Sequence, residues 1–282
     1  MHHKEIEING QMVAYYESKG KGQPVLFIHG NSMSGLSFEK QFESALGERY
    51  RLVALDLPGH GDSGPAPNPK SAYTLPGYAV MVSEFARRLG IDDAVLVGWS
   101  LGGHVLLEAS GCLPDSAGLM IFGTPPVGKP MASDAFIPNP LVPLMFKSTM
   151  SEEEAVAVSA GFFGPGSRIP TFIVEDMRRT NGMAREALGL SVGEENYSDE
   201  VMIVGDLNKP LAVLHGEHEQ VASLPYLKRL DIPTLWRGEV QIIPNAGHIP
   251  QWEQPERFNS LLMKFIEDCN HRQGRADEVT FL

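Results

Sequence analysis

Short apolar runs alternate with amphipathic segments along most of this chain, and this alternation constrains the fold more than any other feature. The strand-like runs lie within 24–30, 50–64, 92–100, 117–126, 210–219 and 239–248. Helical periodicity covers 37–48, 74–90 and 101–113 between them. A continuous apolar run suits a strand buried on both faces, and helices are the usual connections between parallel strands. We therefore expect an α/β fold in which helices flank a mostly parallel central sheet.

The two ends of the chain carry different patterns. Two extended runs flank Asn9-Gly10, a dipeptide typical of a tight hairpin turn, so the fold is expected to open with antiparallel strands. The segment 254–272 is amphipathic and predicts a closing helix. The final residues, 273–282, lack clear periodicity and are expected to form a mobile tail.

The alternation breaks between Thr124 and Gly205. Pro-rich stretches there carry Met and Phe residues, and helical periodicity is confined to fragments such as 151–163 and 170–188. Regular alternation returns afterwards, which indicates an insertion into one domain. We assign 1–124 and 206–282 to the core and 125–205 to an inserted helical cap.

Charge and composition exclude several classes of partner. The 282 residues carry a formal net charge of −12 without a basic stripe, so the attraction that drives binding to nucleic acid or an anionic membrane is missing. No apolar run is long enough to span a bilayer, and the first residues lack the apolar core of a secretory signal. We expect a cytoplasmic protein in which Cys112 and Cys269 are small buried side chains. Oligomeric state stays open.

The nucleophile is predicted at Ser100. It lies at the centre of Gly98-Trp99-Ser100-Leu101-Gly102, between an apolar strand and a helix. A sharp strand-to-helix turn holds such a serine in a strained conformation, and glycines beside it leave room for the turn. The start of the helix also favours developing negative charge.

A serine hydroxyl needs a base and an orienting carboxylate. His248 follows the last predicted strand in a Gly-containing loop and is the predicted base, whereas His29, His60 and His104 fall at structural turns. The orienting carboxylate is expected just after the strand within 210–219. Glu219 is preferred because it has left the strand, and Glu217 is the alternative. The order serine, acid, histidine matches the arrangement known for strand-turn-helix nucleophiles.

Two backbone N–H groups are expected to form the oxyanion hole. One belongs to Leu101, which follows the nucleophile, and the other to Asn31, in the loop after the strand within 24–30. No metal ligand set is apparent, because His215 and His218 lack accompanying ligands. Neither a metal nor a cofactor is therefore expected.

The motifs HGNS, DLPGHGDS, GWSLGGH, HGEHE and NAGH together resemble the α/β-hydrolase superfamily over essentially the whole chain. The sequence of the core, with glutamate as the acid, is similar to that of the α/β-hydrolase type of N-acyl-homoserine lactonase. These enzymes open the homoserine lactone ring without a metal. The resemblance implies the α/β-hydrolase fold and two-step acyl transfer through an acyl-enzyme. It is much weaker in the cap, where substrate choice usually resides.

The expected substrate is therefore a small ester or lactone. The predicted substrate-binding residues are Trp99, Phe136, Leu144, Met145, Phe162 and Phe163, although packing of the cap on the core also explains residues of this kind. Alternatives on the same fold are a general carboxylesterase, a carbon–carbon bond hydrolase and, in another class, a non-catalytic small-ligand receptor.

Overall fold

A single eight-stranded sheet forms the centre of the protein. The computed structural model describes residues 1–280, with side chains described for residues 1–271. The strands are β1 His2–Ile8, β2 Gln11–Glu17, β3 Gly22–Ile28, β4 Tyr50–Leu55, β5 Val95–Trp99, β6 Gly118–Phe122, β7 Leu211–Gly216 and β8 Gln241–Ile243. Their order across the sheet is β1-β2-β4-β3-β5-β6-β7-β8.

The strand pairing is mostly parallel, which confirms the predicted sheet. β1 pairs with β2, and β2 with β4, in antiparallel fashion, and all later pairs are parallel. The opening hairpin turns at Asn9 and Gly10, which have φ values of 52° and 80°. Positive φ at both central residues is the geometry that favours Asn-Gly in a two-residue turn.

Helices cover both faces of the sheet. They are α1 Glu39–Phe42, α2 Ala45–Arg49, α3 Pro69–Ala72, α4 Leu75–Leu89, α5 Leu101–Ala109, α6 Glu152–Phe162, α7 Thr171–Arg179, α8 Gly182–Gly193, α9 Glu200–Asp206, α10 Leu224–Arg229, α11 Pro250–Glu253 and α12 Pro255–Thr280. Short 3₁₀ helices occupy Gly35–Phe38, Ser110–Cys112, Val142–Phe146 and Trp236–Gly238. No described helix is both long and apolar enough to cross a bilayer.

Neighbouring residues of a strand supply the cores on opposite faces, as the period of two requires. Leu26 of β3 belongs to the apolar cluster that contains Phe85 of α4. Phe27, the next residue, belongs to the cluster that contains Phe258 of α12. All four side chains are fully buried, which explains why the second half of β3, residues 25–28, is a continuous apolar run.

The segment between β6 and β7 contains α6 to α9, and the predicted cap boundaries, residues 125–205, remain a prediction. The single helical fragment expected over 170–188 is two helices in the structure. The break falls between α7 and α8, where the Asn181 side chain accepts a hydrogen bond from the Met183 N–H at 2.9 Å and begins the second helix. The Asn181 N–H is donated to the Gly59 carbonyl at 2.9 Å, which ties this break to the core.

Two expectations about the ends and the cysteines need correction. Cys269 is buried, but Cys112 is exposed because it closes a 3₁₀ turn at the surface. The closing helix does not stop at residue 272, since the backbone of α12 remains helical to Thr280. Of the predicted tail, Phe281 and Leu282 lie outside the described residues.

The parallel strands all end at one edge of the sheet, and the loops that follow them carry the predicted site. Asn31 follows β3, Ser100 follows β5, Glu219 follows β7 and His248 follows β8. Such an edge is where ligands bind in α/β sheets.

Candidate active site

Ser100 occupies a strained turn between β5 and α5. Its backbone has φ 52° and ψ −117°, a region that residues with a side chain rarely adopt. The turn is held on both sides: the Ser100 N–H donates to the Phe122 carbonyl at 2.9 Å, and the Thr124 hydroxyl donates to the Ser100 carbonyl at 2.9 Å. These contacts fix the serine at the end of the strand.

The glycines of the motif are required by close backbone approach. A Cβ at Gly98 would lie 2.6 Å from the Gly102 carbonyl oxygen, and one at Gly102 would lie 2.1 Å from the Ile28 carbonyl oxygen. A Cβ at Gly103 would lie 2.2 Å from the Thr124 hydroxyl. The sequence interpretation of these glycines as spacers has this physical basis.

His248 and Glu219 form a buried pair. The imidazole Nδ1 lies 2.7 Å from Glu219 Oε1, and the two side chains are 3% and 1% exposed. The same carboxylate oxygen accepts the Val221 N–H at 2.8 Å. Because an ionised carboxylate only accepts, Nδ1 carries the proton and Nε2 is left free.

The charge state of Glu219 follows from its neighbours. Burial raises the pKa of this carboxyl, but the charge and hydrogen bond of His248, together with the Val221 N–H, outweigh burial and hold the pKa below its usual value. Its second oxygen, Oε2, is buried without a hydrogen-bond partner among the described residues. The alternative acid, Glu217, is half exposed and accepts the Asn245 N–H at 2.9 Å, away from the imidazole.

Backbone contacts hold the His248 loop in place. The Trp99 indole N–H donates to the His248 carbonyl at 2.9 Å, and the His248 N–H donates to the Phe162 carbonyl at 2.9 Å. The Phe162 ring centroid lies 5.2 Å from that of the imidazole. The histidine is therefore linked both to the strand before Ser100 and to the end of α6.

Ser100 and His248 line the same cavity. No hydrogen bond joins the Ser100 hydroxyl to His248 within the described residues. Contacts of this kind commonly shorten only when a substrate is bound. The predicted nucleophile and base therefore line one cavity, and no hydrogen bond joins their side chains within the described residues.

The two predicted oxyanion donors also line this cavity. Asn31 lies in a turn closed by a 3.2 Å hydrogen bond from the Met33 N–H to the Gly30 carbonyl, with Ser32 at φ 62°. Leu101 is the first residue of α5, where a backbone N–H has no partner inside the helix. The Asn31 side chain donates to the Met145 carbonyl at 2.9 Å, which fixes this loop against the segment between β6 and β7.

The predicted substrate-binding residues divide into two groups. Those that line the cavity are Trp99, Phe136, Met145 and Phe162. Leu144 and Phe163 lie outside the lining. In the 3₁₀ helix Val142–Phe146, residues three apart share a face, so Val142 and Met145 point to the cavity and Leu144 does not. At Phe163 the chain leaves α6 in an extended conformation, which turns this side chain away from that of Phe162.

His104 is a polar lining residue that was not predicted from the sequence. It was expected to be a structural histidine, as His29 and His60 are: burial lowers the pKa of His29 to about 3 and of His60 to about 4. His104 instead lines the cavity, and its Nδ1 lies 2.8 Å from Glu200 Oε2. Its place one turn after Ser100 was the available signal, because helix residues four apart share a face.

The sequence model of the alpha/beta hydrolase family matches residues 25–261. The chain belongs to the alpha/beta hydrolase family. Within the described residues of this α/β hydrolase, no group of three His, Cys, Asp or Glu side chains is arranged to hold a metal ion.

Solved structures of a lactonase are similar to this α/β hydrolase throughout. A crystal structure of a mutant of the N-acyl homoserine lactonase AidH complexed with N-hexanoyl homoserine lactone is 35% identical, covers 96% of this chain and 99% of that chain, and has a TM-score of 0.92. AidH complexed with N-butanoyl homoserine is 36% identical over 95% and 97% of the chains, again with a TM-score of 0.92. The resemblance indicated by the motifs is confirmed.

More distant relatives carry out varied chemistry. The dihydrolipoyllysine-residue acetyltransferase component of the acetoin cleaving system from Cupriavidus necator is 27% identical over 92% of this chain and 68% of that protein. A 2-hydroxy-6-oxononadienedioate/2-hydroxy-6-oxononatrienedioate hydrolase from Dechloromonas aromatica is 23% identical over 93% of each chain. Membership of the family therefore does not specify the substrate, which depends on the residues of the site.

Proposed function

We propose that this α/β hydrolase is a metal-independent serine lactonase that opens the ring of N-acyl homoserine lactones. Ser100 is the nucleophile, His248 the general base and Glu219 the carboxylate that orients the imidazole. The N–H groups of Asn31 and Leu101 form the oxyanion hole. The observation that carries the proposal is the meeting of the strained Ser100 turn and the His248–Glu219 pair at one cavity.

The first half of the reaction forms an acyl-enzyme. Ser100 Oγ bonds to the lactone carbonyl carbon while His248 Nε2 takes the hydroxyl proton, and the oxyanion accepts the two backbone N–H groups. The ring C–O bond then breaks, and His248 returns the proton to the departing alkoxide. Glu219 stabilises the imidazolium throughout, which its lowered pKa suits.

The second half releases the product. Water attacks the acyl-enzyme carbonyl, His248 takes one proton from that water, and the Ser100 oxygen leaves with the proton that His248 returns. The product is an N-acyl homoserine. No step requires a cofactor.

Two observations support a lactone with an acyl chain as the substrate. The cavity wall is mainly apolar, with Phe136, Met145 and Phe162 among its members, as burial of an alkyl chain requires. The AidH structures, which are complexes with a lactone and with an acyl homoserine, match this chain at a TM-score of 0.92. A general carboxylesterase is the second candidate, because the same residues perform acyl transfer on linear esters.

The deciding experiment compares a lactone with a linear ester of equal acyl length. Proton release from N-hexanoyl homoserine lactone is followed near neutral pH, corrected for spontaneous hydrolysis, and the product is identified by mass. p-Nitrophenyl hexanoate is the linear substrate and Ser100→Ala protein is the blank. We expect a higher kcat/KM for the lactone, because a ring fixes the geometry of the leaving oxygen and less entropy is lost on binding.

Each other outcome points to a different function. Rapid ester cleavage with lactone opening at the background rate supports the general esterase. Turnover of neither substrate above the Ser100→Ala blank supports a small-ligand receptor on this fold.

A further inference from the structure

A second histidine–carboxylate pair lies in the wall of the cavity, apart from His248. His104 Nδ1 lies 2.8 and 2.9 Å from the two oxygens of Glu200. Glu200 is fully buried, while the His104 side chain is 13% exposed. The Val127 N–H also donates to Glu200, at 2.8 Å. The reactions proposed above do not use this pair.

The pair determines which nitrogen of His104 is available. Glu200 already accepts the Val127 N–H, so its carboxylate acts as an acceptor and His104 Nδ1 carries the proton. In the tautomer that carries its proton on Nδ1 alone, Nε2 is a hydrogen-bond acceptor. It makes no protein hydrogen bond within the described residues, and His104 lines the cavity.

His104 lies one helical turn after the predicted nucleophile, and both residues line the cavity. The His104 N–H is 3.4 Å from the Ser100 carbonyl oxygen, one helical turn apart. Side chains on a helix lean towards its N-terminus, so the imidazole lies over the turn that begins at Ser100. A substrate group held here is a near neighbour of the carbonyl under attack.

Tyr197 adds a second polar group to the same wall. Its side chain lines the cavity and its hydroxyl is buried without a partner among the described residues. Burial, followed by the charges of Glu195 and Glu200, raises the pKa of this phenol. A buried polar group without a partner is costly, and a hydrogen bond to a polar group of a ligand would remove this cost.

We propose that His104 Nε2 accepts a hydrogen bond from the amide N–H of the substrate, with Glu200 holding the ring in the accepting tautomer. The identity of the substrate rests on the proposed function. In an N-acyl homoserine lactone the amide nitrogen is attached to the carbon beside the lactone carbonyl. The N–H therefore lies two bonds from the atom that Ser100 attacks. The site selects esters and lactones with an amide at the α-carbon.

The test measures binding and not turnover. Ser100→Ala protein is titrated by calorimetry with N-hexanoyl homoserine lactone and with α-hexanoyloxy-γ-butyrolactone, in which oxygen replaces the amide N–H. We expect the amide to bind about fivefold to tenfold more tightly, as one hydrogen bond provides. Because the Ser100→Ala protein cannot turn the lactone over, a failed lactonase assay with wild-type protein is a separate result.

Two further variants, made in the Ser100→Ala protein, separate the contact from a structural effect. His104→Asn keeps a donor for Glu200 at the position of Nδ1 but removes the acceptor, so the amide and the oxygen analogue should bind with a ratio near one. His104→Gln places an acceptor near the position of Nε2 and should restore most of the preference. Thermal unfolding checks that both variants fold.

Three results overturn the proposal. They are equal affinity of the Ser100→Ala protein for the two lactones, a preference that survives His104→Asn, and a failure of both lactones to bind. If the wild-type protein does not open the lactone but the Ser100→Ala protein still prefers the amide, the lactonase function is rejected and the proposed contact with His104 stands.

Discussion

Gly123 leaves the space that the imidazole of His248 occupies. A Cβ at Gly123 would lie 2.6 Å from His248 Cε1 and 2.9 Å from Nδ1. Gly123 follows β6 directly and has φ 61°. The residue that follows β6 therefore limits the position of His248, which follows β8. Both the close contact and the positive φ require glycine at position 123.

Gly123→Ala should reduce kcat by about a hundredfold, because displacement of the base by roughly 1 Å has that effect. Gly90→Ala is the matched control. Gly90 also has φ 61°, but a Cβ there meets nothing within 4 Å. Steady-state kinetics and denaturant unfolding of both variants separate the contact from backbone strain. A similar loss of kcat in both would contradict the steric explanation.

Glu219→Gln should lower kcat by about a thousandfold or more with little change in KM, since it removes the charge that stabilises the imidazolium in the transition state. Glu217→Gln is the control, because Glu217 is half exposed and contacts Asn245. Kinetics on an ester or lactone substrate provide the comparison. A reversal of the two effects would transfer the role of the acid to Glu217.

Chelation should leave activity unchanged, because the proposed steps pass protons between Ser100 and His248 and need no Lewis acid. A serine-directed organophosphonate should abolish activity, with a covalent adduct on the peptide that contains Ser100. Activity before and after dialysis against EDTA, together with peptide mass spectrometry, tests both parts. Loss of activity on chelation and its recovery with zinc would refute metal independence.

The stability of the fold should depend on Asp56, which follows β4. Burial raises the pKa of this carboxyl to about 7, although the N–H groups of Gly35 and Asp62 donate to it at 2.7 and 2.8 Å. Between the ordinary value of 3.8 and about 7, the unfolded chain has lost this proton and the folded chain retains it. The free energy of unfolding should therefore fall as pH rises through this window, by on the order of a few kcal/mol.

Asp56→Asn should flatten that dependence, whatever its effect on stability at one pH. Asp93→Asn is the control, because Asp93 is exposed and should leave the slope unchanged. Urea unfolding at several pH values across the window gives the slope for each protein. An Asp56→Asn protein with the wild-type slope would assign the pH dependence to another group.

Local patterns in the sequence were sufficient for the sheet, the opening hairpin and the turn at Ser100. Each depends on residues close together in the chain: Asn9-Gly10 adopts positive φ at the hairpin, and Gly98 and Gly102 permit the turn around Ser100. Continuous apolar runs likewise predicted parallel strands, because burial on both faces acts on each residue of a strand.

Only the tertiary structure decided which distant side chains meet. Glu219 faces His248 because its oxygen also accepts the Val221 N–H, a contact that depends on how the loop after β7 is folded. His104 and Glu200 are 96 residues apart and meet because α9 packs on α5. Met145 lines the cavity and Leu144 does not, because the 3₁₀ helix Val142–Phe146 packs with Val142 and Met145 towards the cavity. Hydrophobic periodicity specifies which face of an element is buried, but not which partner lies opposite it.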